Sequence, residues 1–298
     1  MTFLQRPETA NSEHHHSDME PGRLRGFVCR YATVLGLILV FGATVSCSSD
    51  NKPVVDSEDP VEVLYNNALD RLLDGDAISA AELFDDVERQ HPYSVWATRA
   101  QLMAAYSHYR TNRYEDAILA AQRFLQLHPG NRDAPYANYL IAISYYEQIT
   151  DVGRDQQMTE RALRSLSEVI ARYPESEYAR DARLKVDLTR DHLAGKEMEV
   201  GRYYMKSLKC VAAIKRFRVV VDQYQTTSHA PEALHRLTEC YLSLGVIGEA
   251  QTAAAVLGYN YPGSKWYQDS YRLLKGEGLE PIEDSESWLS KSWNSVFN

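Results

Sequence analysis

Few residues of this chain are spaced for covalent or metal chemistry. Cys47 follows an apolar stretch, residues 27–45, and the short run Thr44, Val45 and Ser46. A cysteine in that setting is a target for cleavage and acylation. His14, His15 and His16 have metal-ligand character, but they stand before that cut. Asp151, Gly153 and Asp155 suggest a calcium loop, yet the other ligands and the closing Glu of an EF-hand are missing. Asp191 and His192 are adjacent on a helical segment, so they point to different sides and form no dyad. His108, His192, His229 and His235 are dispersed over helical positions. The sequence contains no GxSxG, P-loop, HExxH or CxxC. A formal charge of −9 argues against a general nucleic-acid role. These residues support binding rather than turnover, with no cofactor beyond a covalent lipid on Cys47.

The elements that organise this chain announce themselves by repetition. His91-Pro92, His128-Pro129, Tyr173-Pro174, Tyr224-Gln225 and Tyr261-Pro262 end five successive segments. Twelve residues before the second member stand Ala80, Ala117, Ala162, Ala213 and Ala250, and two residues after it stand Ser94, Asn131, Ser176, Thr227 and Ser264. Proline ends one helix, the hydroxyl or amide that follows is an N-cap for the next, and the alanine lets two helices approach. The pattern predicts an all-α tetratricopeptide-repeat solenoid of five helix-turn-helix repeats plus a capping helix.

Within the repeats, Gly75, Asn112 and Gly245 mark tight turns that need a left-handed residue. Repeat three is lengthened by a loop over residues 149–157. Repeat four is lengthened within residues 180–208, read as one long helix, bent if anywhere at Gly195. Its dense charge reads either as a solvated face or as a partner contact. After Ser264 a capping helix over Lys265–Leu274 turns Trp266, Tyr267 and Tyr271 inward.

The chain divides into a leader and signal peptide (1–46), a flexible tether (47–59), N-terminal repeats one to three (60–174), C-terminal repeats four and five with the capping helix (175–275), and an acidic tail (276–298). Translation starts at Met1 or Met19. Arg23 and Arg25 precede the apolar stretch and Arg30 precedes its densest part, residues 34–40, as in a secretory signal. Residues 44–47 have the form of a lipobox, with Thr44 where Leu is usual, and Ser48 after the cysteine suits an outer-membrane destination. An anchor that is never cut is the other reading. Cys210 and Cys240 fall on neighbouring antiparallel helices, as a disulfide or as two buried thiols. The tail is expected to be mobile over residues 277–286. Trp288, Leu289, Trp293, Val296 and Phe297 then make either an amphipathic helix for a partner or membrane, or a disordered end. Twenty tyrosines against seven phenylalanines suit a surface with one wet and one dry side.

The signal with Cys47, the five repeats and the long repeat four together resemble the BamD-like lipoproteins of the outer-membrane β-barrel assembly machinery, in an alphaproteobacterial form. So do the phrases Arg89-Gln90-His91-Pro92-Tyr93-Ser94, Ser144-Tyr145-Tyr146-Glu147-Gln148 and Asp191-His192-Leu193-Ala194-Gly195-Lys196-Glu197. The resemblance covers about residues 47–274. It implies a scaffold held by its lipid at the periplasmic face of the outer membrane. The C-terminal repeats would bind the POTRA domains of the barrel-forming subunit, and other assembly lipoproteins would join. The N-terminal repeats would offer a groove to the targeting segment of unfolded outer-membrane proteins. Tyr65, Leu72, Tyr106 and Tyr109 are the groove candidates, with ordinary helix packing as the alternative for each. Arg216 is the position carried over to the POTRA contact, with Arg202 and Tyr204 beside it. A repeat-containing adaptor for cell-envelope or cell-wall synthesis is the competing function.

Overall fold

Each repeated phrase closes a helix by the same backbone bond. The N–H groups of His91, His128, Tyr173, Tyr224 and Tyr261 donate to the carbonyls of Val87, Phe124, Val169, Val220 and Leu257. The next residue is Pro in four cases and cannot extend the helix. The computed structural model describes residues 60–297, so the expectations for the leader, Cys47 and the tether lie outside the described residues. Among the described residues there are twelve α-helices and no strand.

Repeat one pairs α1 (Val61–Leu73) with α2 (Ala77–Gln90), and repeat two pairs α3 (Val95–Arg110) with α4 (Tyr114–Leu127). Repeat three pairs α5 (Ala134–Tyr146) with α6 (Gln157–Arg172). Repeat four pairs α7 (Glu177–Lys206) with α8 (Cys210–Gln223), and repeat five pairs α9 (Ala230–Ser243) with α10 (Ile247–Asn260). α11 (Lys265–Gly276) caps the stack and α12 (Trp288–Phe297) follows it. The five alanines of the repeat phrase are all fully buried, so each second helix closes on its partner through a methyl group.

Ser94, Ser176 and Ser264 accept the N–H of Ala97, Ala179 and Tyr267 as N-caps. Asn131 and Thr227 do not, which corrects that expectation. Pro135 and Pro231, each at the second helical position, start their helices later. Asn131 accepts the N–H of Asp133 two residues on, and the Thr227 hydroxyl donates back to the Tyr224 carbonyl.

The first helices of successive repeats touch one another, α1 with α3, α3 with α5 and α5 with α7, and α9 touches α11. The second helices make no comparable contact with one another. The first helices therefore line the inner face and the second helices fan out on the outer face.

The tail departs from expectation. The segment after α11 crosses α10, held by the Gln251 amide donating to the Glu280 carbonyl and the Asp284 N–H donating to the Thr252 hydroxyl. α12 then lies on α10 and α8. Leu289 is fully buried and Trp293 is 3 % exposed, both within the core of repeats four and five. Arg218 stacks over Trp288 at 3.9 Å. The amphipathic helix thus docks on its own chain, over the gap that the splayed outer helices leave. The side chains of Val296 and Phe297 lie outside the described residues.

On α11, Trp266 and Tyr267 pack inward and Leu274 is fully buried. Tyr271 is 40 % exposed and faces outward, contrary to expectation. Cys210 and Cys240 are both free thiols.

Candidate functional site: an aromatic inner face and a C-terminal edge

α1, α3, α5 and the start of α7 carry a row of aromatic side chains. Tyr65 sits 4.9 Å from Trp96 and 5.4 Å from Phe84, ring centre to ring centre. Tyr106 accepts from Arg110 at 3.1 Å. Tyr109 donates to Glu147 at 3.4 Å and lies 5.9 Å from the Tyr114 ring. Tyr136 and Tyr139 stand 5.4 and 5.3 Å from Tyr178, and the Tyr139 hydroxyl donates to Asp181. Burial, then the Glu147 charge, pushes the Tyr109 hydroxyl up to about 12. Burial also raises Tyr65, Tyr136 and Tyr139, so these hydroxyls stay protonated and act as neutral hydrogen-bonding groups.

Three of the four groove candidates, Tyr65, Tyr106 and Tyr109, belong to this row. Leu72 does not. It is 7 % exposed in the core of repeat one and offers almost no surface. Trp96, Tyr136, Tyr139 and Tyr178 were not singled out from sequence. Their signal is aromatic residues at three- and four-residue spacing in first helices, which core packing would produce equally.

At the C-terminal end the predicted partner residues divide. Arg202 is held by Glu232 of α9 at 2.9 and 2.8 Å, so it joins repeats four and five. Tyr204 packs against the core of those repeats, while its neighbour Tyr203 is exposed. Arg216 is exposed and paired with Glu197 of α7 at 3.2 Å. A guanidinium in that state can exchange one carboxylate for another.

The phrase at residues 191–197 serves an inter-repeat joint. Asp191 accepts from the Ser228 N–H at 3.0 Å and the Ser228 hydroxyl at 2.7 Å, and stands 3.7 Å from His229. This Ser/His/Asp grouping is no catalytic relay, because the serine hydroxyl bonds the carboxylate and not the imidazole. A side chain at Gly195 would meet His229 at 3.2 Å and Val152 at 3.5 Å, so glycine there allows the joint to close without ending α7. Lys196 donates to the Gly153 carbonyl at 3.0 Å and pins the repeat-three loop. In that loop Asp151 accepts from the Gly153 N–H and Asp155 from the Gln157 N–H.

With this geometry in hand, similarity to known proteins decides the family. The family described as YfiO, outer membrane lipoprotein, matches residues 57–257. Over 260 residues the chain is 52 % identical to the outer membrane protein assembly factor BamD of Caulobacter vibrioides, covering 87 % of this chain and 85 % of that one. This chain belongs to the BamD family of outer membrane lipoproteins. The BamD of Rickettsia prowazekii is 45 % identical over 242 residues, 81 % of this chain and 96 % of that one. Among solved structures, the chain is similar to a thermophilic TPR protein of Thermus thermophilus, with 17 % identity and a TM-score of 0.34, covering 72 % of this chain and 98 % of that one. The family model itself ends within α10, at residue 257.

Proposed function

We propose that this chain is a lipid-anchored component of the β-barrel assembly complex at the periplasmic face of the outer membrane. It acts by binding, without catalysis and without a cofactor other than the lipid on Cys47. Its C-terminal repeats take the POTRA domains of the barrel-forming subunit, with Arg216 exchanging Glu197 for a partner carboxylate. Other assembly lipoproteins join the same complex. Its inner face receives unfolded outer-membrane proteins. The observation that carries this reading is the aromatic row on the first helices of repeats one to four, in a chain half identical to an outer membrane protein assembly factor. An extended segment with aromatic side chains can stack on those rings and bond their neutral hydroxyls.

Native co-purification from detergent-solubilised envelopes tests it. Recovery of a POTRA-bearing barrel protein in near-equal amount is expected. Recovery of cell-wall synthesis enzymes without that protein would overturn the assembly role.

A further inference from the structure

Four residues that join the two helices of a repeat lie in the left-handed region: Gly75 at φ 89°, Asn112 at 59°, Leu208 at 58° and Gly245 at 73°. Glycine and asparagine adopt it readily, whereas a leucine there sets its Cβ against the following carbonyl. Nothing in the turn requires leucine, and its side chain is 90 % exposed. A strained backbone that presents an apolar group to solvent points to something outside the folded chain.

The surroundings extend the feature. Tyr203 and Val211 on either side are 66 % and 61 % exposed. The next repeat's turn abuts this one, with Cys210 Sγ 3.2 Å from Ser243 Oγ, and it carries the exposed Leu244, Val246 and Ile247. Around the Leu208 turn the charge has one sign. Between Glu199 and Asp222 the chain holds six basic residues and no acidic one, although its total charge is −9. Arg202 and Arg216 are paired internally and Arg218 stacks on Trp288. Lys206 and Lys209, which flank Leu208, are exposed and make no ion pair among the described residues.

We propose that this edge rests on a phospholipid surface, with Leu208 among the acyl chains and Lys206 and Lys209 on headgroup phosphates. Lysine stems lie along apolar surface while their charge stays wet, and tyrosine favours the interface. Members of an outer membrane lipoprotein family work beside such a surface. No helix among the described residues is long and apolar enough to cross a membrane, so the contact is peripheral. An acidic protein would satisfy the lysines equally, but it would need a fitted pocket for each turn. Apolar groups projecting from two turn tips suit a deformable layer better.

The test uses the chain from residue 47 onward carrying Cys47→Ser, which removes the acyl anchor. It is sedimented with vesicles of phosphatidylethanolamine and phosphatidylglycerol, or of phosphatidylcholine alone. Binding to the anionic vesicles is expected, and Leu208→Gly should lower the bound fraction at least about fivefold. The double variant Lys206→Glu, Lys209→Glu should lower it similarly. Leu208→Gly restores the residue type of Gly75 and Gly245, so its melting temperature should match or exceed the parent's and misfolding cannot explain the loss. Equal binding by Leu208→Gly, or no binding by the parent, overturns the proposal. If vesicles fail while Leu208→Gly loses protein partners from envelopes, the edge is a protein interface and the membrane reading falls. The vesicle readout involves no assembly partner, so it stands or fails apart from the assembly role.

Discussion

Arg202 grips Glu232 at two points, Nε to Oε1 at 2.9 Å and Nη2 to Oε2 at 2.8 Å, and so ties α7 to α9. Burial opposes ionisation of Glu232, but the hydrogen bond and charge of Arg202, with Arg236 behind it, hold its carboxyl below the ordinary 4.5. A depressed carboxyl contributes stability that is full above 4.5 and is lost as pH falls through the lower folded value. Glu232→Gln should therefore cost about 2 kcal/mol at neutral pH. The variant should also lose less stability than the parent on acidification. Urea unfolding at neutral and acid pH measures both; equal acid loss in parent and variant would count against this role.

Arg216 and Glu197 invite a charge swap. Arg216→Glu should deplete the barrel subunit from envelope pull-downs with little change in melting temperature, since an exposed pair contributes only about 0–1 kcal/mol. Adding Glu197→Arg restores the internal pair in reversed order. If the double variant recovers the partner, the arginine serves the fold and not the contact. We expect it not to.

Leu289 is the most buried anchor of α12, so Leu289→Ala should destabilise the protein by about 3 kcal/mol. The loss should concentrate in repeats four and five. Hydrogen exchange should speed up in α8 and α10 and leave α2 and α4 as in the parent. Uniform acceleration along the chain would contradict a local clamp.

Cys240 is fully buried and its thiol is raised well above the ordinary value of 9.0, chiefly by burial, while Cys210 is partly exposed. Alkylation of the native protein should modify Cys210 first and reach Cys240 only on unfolding. Peptide mass spectrometry reads the order. A disulfide-linked peptide from the native protein would instead show the two thiols joined.

Much of the scaffold could be read from local rules, because proline, buried alanine and turn glycine act within a few residues of themselves. The same rules failed at Asn131 and Thr227, where a proline two residues into the helix outranked the capping side chain. Leu208 gave no turn signal, since leucine is the wrong residue for that conformation. Tyr203 and Tyr204 are adjacent, and only the packing of α7 decides which one faces solvent. The acidity of residues 277–286 suggested mobility. What holds the end of the chain is contact with residues far away in sequence, such as Ser292 donating to Asp222 at 2.6 Å. Aromatic spacing in the first helices was visible, but whether a ring faces the core or the groove was not.

The outer-face strap gives the molecule unequal compliance along its length. A curved stack bends by opening and closing the wedges between its outer helices. α12 fills the wedge between α8 and α10, so that end behaves as a stiff bracket. The wedges between α2, α4 and α6 hold no such filler among the described residues. The aromatic inner face is thus carried by the half that can widen or narrow, so the groove proposed for unfolded outer-membrane proteins would conform to segments of differing bulk while the bracket keeps its shape.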